Sequence, residues 1–356
     1  MLAGRVPAKV YNNQEYGWRK MAHLLKYEKV KNNILTDIRN GIYPPGSRIP
    51  TREELICKYS VTRTTVNQAL KVLVDGGVLI TSKRGGTVVT GRKMPFKVAF
   101  VSSMGEFAPS NAARGDSDSS GLLKPLLLNP ASEFKLEFLD AKRVSGDLSF
   151  IGKYDVVVWS MPADAVLAKL PLYRDRVIVL NRYRNDLNFI STNHRQAVRE
   201  MTEYNIAQAG DSPQLYFLSL ATAEDFVSRE RREGFVDACA DAKVFYRICE
   251  LKSFEYEDVL KSLLDIEFEA GSPIVLTAPR LAFTGAVIQM AREKGLVFQK
   301  DIFYSDFDNP YALRNTGTKI VSAVQDYAGM GRELLNVLSS FGDKKIEIFV
   351  PFQMMK

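Results

Sequence analysis

Between residues 27 and 41 the apolar positions fall at helical spacing: Val30, Ile34, Leu35 and Ile38 share one face, and Gly41 ends the segment. The following Tyr43-Pro44-Pro45-Gly46-Ser47 predicts a turn, since two prolines cannot continue a helix. A second helix is predicted from Thr51, whose Thr-x-x-Glu spacing to Glu54 is a capping-box pattern, with Leu55 and Tyr59 facing inward. Ser60-Val61 makes a short turn and Thr62 caps a third helix. There Val66, Ala69, Leu70 and Leu73 form a single apolar stripe, and Gly76-Gly77 ends it. Residues 78–81 and 87–90 read as two β-branched strands around a basic hairpin tip, Ser82-Lys83-Arg84-Gly85-Gly86. Residues 1–26 show no clean period; they fit either a flexible basic arm or an extra helix packed on the next segment.

Beyond a linker at 91–95 the period changes. Continuous apolar runs at 98–101, 156–159, 177–180, 215–220, 274–276, 302–304 and 320–324 alternate with helical patterns at 194–209, 226–242, 256–269, 282–294 and 327–340. Apolar strands alternating with helices predict parallel sheets covered on both faces. The Ser-, Asp- and Gly-rich stretch 109–120 reads as a loop. A length of 356 residues is too long for one average domain and suggests two.

Charge adds the first functional hint. The chain carries +7 overall, yet residues 1–93 hold 17 Lys+Arg against 6 Asp+Glu, leaving the remainder mildly acidic. A basic first quarter suggests contact with a polyanion. The predicted third helix supplies suitable chemistry. With its stripe packed inward, Arg63, Thr64, Asn67, Gln68 and Lys71 lie on the outer face, where Arg suits guanine, Asn or Gln suits adenine, and Thr suits a phosphate or thymine methyl. Lys83 and Arg84 on the hairpin would reach the DNA backbone or minor groove.

These residues resemble the N-terminal domain of GntR-type bacterial regulators. The matching features are Tyr-x-x-Val at 27–30, Ile38-Arg39-Asn40-Gly41, Pro45-Gly46-Ser47-Arg48-Ile49-Pro50, Val61-Thr62-Arg63-Thr64-Thr65-Val66, Ala69-Leu70-x-x-Leu73 and Gly86-Thr87-Val88-Val89. The resemblance implies DNA contacts from Arg63 and Thr64 and places Gly86 in the wing. We include Arg52, Thr62, Asn67, Gln68, Lys71, Lys83, Arg84 and Gly85 in the expected DNA-binding set. The pattern departs from the family at Glu53, usually Arg; at Asn67, frequently basic; and at Arg84, where a wing glycine is common.

The remainder resembles the sugar-sensing domain of LacI-type regulators and type I periplasmic binding proteins. The resembling runs are Val179-Leu180-Asn181-Arg182, Ser191-Thr192-Asn193, Ser228-x-x-Arg231-x-x-Gly234-Phe235, Asp301-Ile302 with Asp306-Phe307-Asp308-Asn309, and Val321-Ser322-Ala323-Val324-Gln325-Asp326 before a helix containing Gly329 and Gly331. The resemblance implies two α/β lobes closing on a ligand, with Arg231 and Asp308 binding sugar hydroxyls and Arg182 and Asn193 edging the cleft. Ala278-Pro279 stands where the family often has Asn-Asp, and region 103–150 is short for a lobe that normally begins with two full βα units.

No catalytic constellation stands out. His23 and His194 are the only histidines and read as packing or surface residues. Cys57 reads as a core thiol, and three cysteines at uninformative spacing suggest neither disulfides nor zinc. Asp116 and Asp118 lack a partner at metal-ligand spacing. No run approaches the ~18 apolar residues of a membrane span, and residues 1–20 are unlike a secretion signal. The expected α/β chain therefore comprises an N-terminal extension (1–26), a winged helix-turn-helix (27–90), a linker (91–95) and a two-lobed, periplasmic-binding-protein-like effector-binding and dimerisation domain (96–356). The expected function is that of a cytoplasmic, homodimeric repressor, not an enzyme. It would bind palindromic double-stranded operator DNA under control of a small-molecule effector, a sugar or sugar derivative, and need no cofactor or metal. The alternative is a constitutive DNA-binding regulator whose C-terminal domain only dimerises or binds protein partners.

Overall fold

The computed structural model describes residues 13–82, 86–91, 96–103, 119–128, 134–220, 225–310, 318–339, 341 and 344–356. The first helix, α1 (Asn13–Arg39), begins well before Tyr27. The aperiodic stretch from residue 13 onward is therefore neither a flexible arm nor a separate helix; it continues the same helix. Helix α2 (Arg52–Tyr59) has the expected capping box: the Thr51 side chain accepts from the Glu54 amide while the Glu54 carboxylate takes the Thr51 amide. Helix α3 (Arg63–Asp75) starts at Thr62, whose hydroxyl accepts from the Thr65 amide. Strands β1 (Leu79–Ser82) and β2 (Gly86–Val89) pair antiparallel. Leu55, Val66, Ala69, Leu70 and Leu73 pack with Val30, Ile34 and Leu35 of α1 and with Leu79 and Val89 of the hairpin into one small core. Cys57 corrects the sequence reading. It is exposed, because residues two apart on a helix point away from each other and Leu55 takes the inward direction.

Two six-stranded sheets follow, each the centre of a lobe. The first contains β3 (Phe96–Ser102), β4 (Phe134–Asp140), β5 (Val156–Ser160), β6 (Val177–Leu180), β7 (Asn188–Ser191) and β13 (Glu347–Phe349), in the order β13-β7-β6-β5-β3-β4, all parallel. The second contains β8 (Gln214–Leu220), β9 (Tyr246–Leu251), β10 (Ile274–Thr277), β11 (Ile302–Phe307), β12 (Val321–Gln325) and β14 (Phe352–Met355), in the order β14-β12-β11-β10-β8-β9. Among the described residues its one antiparallel pair is β12 with β14.

Short helices α4 (Lys124–Leu128), α5 (Ala141–Val144) and α6 (Asp164–Leu167) belong to the first lobe. The long ones are α7 (His194–Ala209), α8 (Phe226–Ala242), α9 (Tyr256–Leu264), α10 (Thr284–Glu293) and α11 (Tyr327–Ser339). Alternate strand residues serve opposite faces, as the two-residue strand period requires. In the first lobe Val98, Phe100, Val156, Val158 and Ile178 pack on Met330, Leu334 and Leu338 of α11, while Ala99, Val101, Val157, Trp159 and Val179 pack on Ile151, Val166 and Leu170. In the second, Leu218, Leu276 and Tyr304 meet α9 and α10, while Phe217, Val275 and Phe303 meet α7 and α8.

Among the described residues the chain crosses between lobes three times: from β7 into α7, from β12 into α11, and from β13 into β14. Two close approaches require glycine. A Cβ on Gly234 of α8 would lie 2.1 Å from the Arg195 carbonyl oxygen of α7, and one on Gly331 would lie 2.3 Å from the Leu122 carbonyl oxygen.

Helix α1 also seats on the first lobe. Buried Lys31 pairs with Asp155, just before β5, while Asp155 accepts from the Lys97 amide in β3 at 2.8 Å. Glu28 pairs with Arg176, just before β6, at 3.0 Å, and the Thr36 hydroxyl donates to the Phe341 carbonyl at 2.8 Å.

Candidate functional site

Helix α3 presents Arg63, Thr64, Asn67 and Lys71 as exposed side chains, with Gln68 half-buried, opposite its buried stripe. Packing alone produces this face: once the four stripe residues are inside, the 3.6-residue period leaves these positions outside. Thr62 supplies the cap and Thr65 is buried. Arg52 of α2 donates from Nε to Asn67 Oδ1 at 2.9 Å. A guanidinium only donates, so the Asn67 amide oxygen is held toward Arg52 and its NH₂ is left to face outward. Glu53 lies 3.7 Å from Arg63, both exposed, so this carboxylate sits against the first guanidinium of the α3 face. Gly86 opens β2 with φ +76°, a backbone region costly to other residues. Lys83, Arg84 and Gly85 lie outside the described residues, as do Asp116 and Asp118.

A second concentration of polar groups lies where the strands of both lobes end, the usual ligand crevice of open parallel sheets. Arg231 of α8 is buried: Nη1 donates to the Pro279 carbonyl at 2.5 Å, Nη2 lies 3.4 Å from His194 Nδ1, and the guanidinium covers the Phe307 ring at 3.4 Å. Because Arg only donates, His194 Nδ1 accepts. Burial, and then the charges of Arg231 and Arg182, hold the His194 pKa well below its ordinary value. Burial likewise pulls Arg231 down to about 10.

Asp308 follows β11 with φ 63°, and its carboxylate accepts from the Gln325 amide at 3.1 Å and from Gln325 Nε2 at 2.5 Å. Arg182 follows β6 and donates from Nη1 to the Asn181 carbonyl at 2.7 Å. Asn193 spends its side-chain oxygen on the Gln196 amide as the cap of α7. Arg182, Arg231 and Asp308 thus converge electrostatically, whereas Asn193 is committed to its helix. Among the described residues, Ser160 Oγ, Asn181 Oδ1, Arg182 Nε, Thr192 Oγ1, Arg231 Nε and Gln325 Oε1 are buried without a protein partner. A buried polar atom left unpaired costs about 1–3 kcal/mol, so such a set suits a polar ligand.

The lobes touch beside this crevice. Tyr183 of the first lobe donates its hydroxyl to Glu230 of α8 and meets Phe226 edge-on at 4.8 Å. The Phe226 amide donates to Asp164 of α6 at 3.2 Å, and Phe226 and Val227 enter the first lobe's core. Within the second lobe Arg280 pairs with Asp225 at 2.9 Å. Sequence reasoning did not single out Tyr183, Asp225 or Arg280. Their signal was adjacency: Tyr183 follows Arg182, and Arg280 follows the Ala278-Pro279 departure. Among the described residues no group of His, Cys, Asp and Glu is arranged to hold a metal, and no helix is long and apolar enough to cross a membrane.

Residues 26–89 match the family described as "Bacterial regulatory proteins, gntR family", so the N-terminal unit is a gntR-type helix-turn-helix domain. Two curated relatives are the "Probable fructoselysine utilization operon transcriptional repressor" of Escherichia coli K12, 37% identical over 91 residues, and the "Histidine utilization repressor" of Klebsiella aerogenes, 36% identical over 80 residues. The matches cover 26% and 22% of this chain and 37% and 33% of those proteins, so the chain spans about a third of the relatives' length. Solved structures cover the other part. A LacI-family regulatory protein from Chloroflexus aggregans superposes with TM-score 0.57 at 16% identity, covering 73% of this chain and 97% of that one. The trehalose repressor of Escherichia coli gives TM-score 0.55 at 12% identity, covering 73% and 100%. At these identities the likeness is one of fold. The two-lobed α/β part has the architecture of LacI-type and periplasmic-binding-protein-like regulators.

Proposed function

We propose that the chain is a sequence-specific operator-binding transcription regulator, a repressor acting as a homodimer in the cytoplasm, whose crevice takes a small polyhydroxylated effector of the sugar class. The observation that carries it is α3: an apolar stripe locked into a gntR-type core, with Arg63, Thr64, Asn67 and Lys71 all facing out. Arg63 and Thr64 would contact bases or phosphates, Asn67 would read an acceptor through its outward NH₂, and the wing would follow the backbone. The convergence of Arg182, Arg231, Asp308 and unpaired buried polar atoms supports a neutral, hydroxyl-rich ligand that both accepts and donates. The names of one relative and one neighbour, a fructoselysine utilization operon repressor and a trehalose repressor, agree with that class.

Coupling follows from the seating of α1. The head is fixed to the first lobe through Lys31–Asp155 and Glu28–Arg176. A ligand that alters the angle between lobes would reorient two heads in a dimer, whose half-sites lie about 34 Å apart or a multiple of it. The test is fluorescence anisotropy of the full chain on DNA flanking its own coding region, with and without a panel of neutral sugars, alongside thermal melting. The expected result is salt-sensitive, sequence-specific binding that one sugar alters while raising the melting temperature. Specific binding that no sugar changes would favour a constitutive regulator whose lobes only dimerise. No specific binding would overturn the reading.

A further inference from the structure

At the opposite end of the first lobe from the crevice, where α1 seats, a cavity of about 380 Å³ opens between the DNA head and the sheet. Its volume lies within the ~300–1,000 Å³ range of small-ligand sites. Four separate pieces of chain line it: Lys29 and Asn32 from α1, Arg174 and Arg176 from the turn before β6, Asn185 and Asp186 from the segment before β7, and Lys344 and Lys345 from the segment before β13. The charge balance is basic. The two lining carboxylates are Asp175, within 3.7 Å of Lys29 and 4.0 Å of Arg174, and Asp186, bound by Arg184 at 2.8 Å. Lys345 pairs with Glu347 at 2.6 Å.

Two buried polar groups of this lining have capacity to spare. Arg176, only 3% exposed, donates from Nη1 to Glu28 and to the Tyr154 carbonyl, while its Nη2 has no partner among the described residues. Asn32, 8% exposed, has an unpaired Oδ1. A buried guanidinium edge with an unpaired N–H, in a lining that adds the ammonium groups of Lys29, Lys344 and Lys345 and the guanidinium of Arg174, fits the tetrahedral oxygens of a phosphoryl group.

We propose that this cavity is a second ligand site, which binds a small phosphorylated metabolite and so pins α1 to the first lobe. Arg176 supplies the fixed donor, Arg174 and Lys344 supply charge from the lobe, and Lys29 supplies it from the head. Ligand held between those segments favours one angle between the head and the lobe. That regulatory consequence rests on the operator-binding reading above; occupancy of the cavity does not.

The test is calorimetric titration of the full chain at ~0.15 M chloride with pyrophosphate and, separately, inorganic phosphate. This ionic strength screens diffuse surface attraction beyond about 8 Å. We expect saturable binding of one pyrophosphate per chain, with inorganic phosphate weaker. The double variant Arg174→Ser/Lys344→Ser, at exposed positions outside the core, should weaken it about 10- to 100-fold, the loss of one or two charge-assisted hydrogen bonds. Arg176→Lys, which keeps the charge and removes the fork, should weaken it as well. Arg63→Ala should leave it unchanged. Absence of binding overturns the proposal. So does binding lost in Arg63→Ala but kept in the double variant, since the DNA-reading face would then be the anion site. Pyrophosphate that binds at the cavity and leaves DNA affinity unchanged overturns the regulatory half alone. A failed sugar response leaves these outcomes untouched.

Discussion

The exposed face of α3 and the crevice between the lobes are both polar, yet they are built by opposite means. The face takes its residues from thirteen consecutive positions, and Arg63, Thr64 and Lys71 bear on no core contact. The crevice gathers Ser160, Asn181, Arg182, Thr192, His194, Arg231, Asp308 and Gln325 from strand ends and two helices spread over both sheets. Its side chains also hold one another: Arg231 bonds Pro279 and His194, and Gln325 bonds Asp308. Changing the face should alter binding and spare the fold, whereas changes among the buried polar groups of the lobes should reach stability first.

The sharpest way to break that contrast is at the buried pair under α1. Lys31→Met strands Asp155 with the Lys97 amide as its remaining partner and should lower unfolding stability by about 3–5 kcal/mol in denaturant titrations. A cost below about 1 kcal/mol would mean that the head is not fixed to the lobe. Gly234→Ala comes next. Its Cβ would press on the Arg195 carbonyl oxygen, backbone that cannot rotate away, and overpacking of this kind costs about 1–3 kcal/mol or more. The melting temperature should fall, while DNA affinity of the folded fraction stays the same.

On the face, Arg63→Ala should weaken operator binding by about 1–3 kcal/mol with no change in melting temperature. An unchanged affinity in anisotropy titrations would refute its reading role. The smallest effect concerns pH. Burial beside two guanidinium groups keeps the native His194 imidazole neutral well below its ordinary titration range. The unfolded chain therefore binds the extra proton below about pH 6.5, and stability falls as pH falls, by up to about 1.4 kcal/mol per pH unit from this group. His194→Gln should flatten the decline between pH 6.5 and 5.5; an unaltered slope would place the acid sensitivity elsewhere.

The same contrast explains what could be read from the chain. Thr51, Glu54, Thr62 and the stripe at 66, 69, 70 and 73 act through neighbours three or four positions away, so their roles were visible locally. Strands buried on both faces, such as β5 and β6, announced themselves as unbroken apolar runs. Among the strands not anticipated are β4, β9, β13 and β14, and these occupy the four sheet edges. Edge strands such as β4 and β9 keep charged or exposed side chains, among them Glu137, Phe138 and Tyr246, and so lose the continuous apolar signature. The crevice was legible only where resemblance named its runs. Tyr183–Glu230 and Arg280–Asp225 join residues 47 and 55 positions apart, distances at which spacing carries no signal.

Helix α1 has a consequence for how freely these parts can be exchanged. Its 27 residues span about 40 Å at 1.5 Å per residue, and one stretch of it serves the head's core while an adjoining side binds the lobe. A head joined only through a loose connector could be cut off and replaced by another reading unit without loss. This one shares a beam with the first lobe. On the proposed function, a chimera that swaps the first ninety residues should inherit the donor's DNA preference, and should keep a ligand response only if positions 28 and 31 still match Arg176 and Asp155 across the joint.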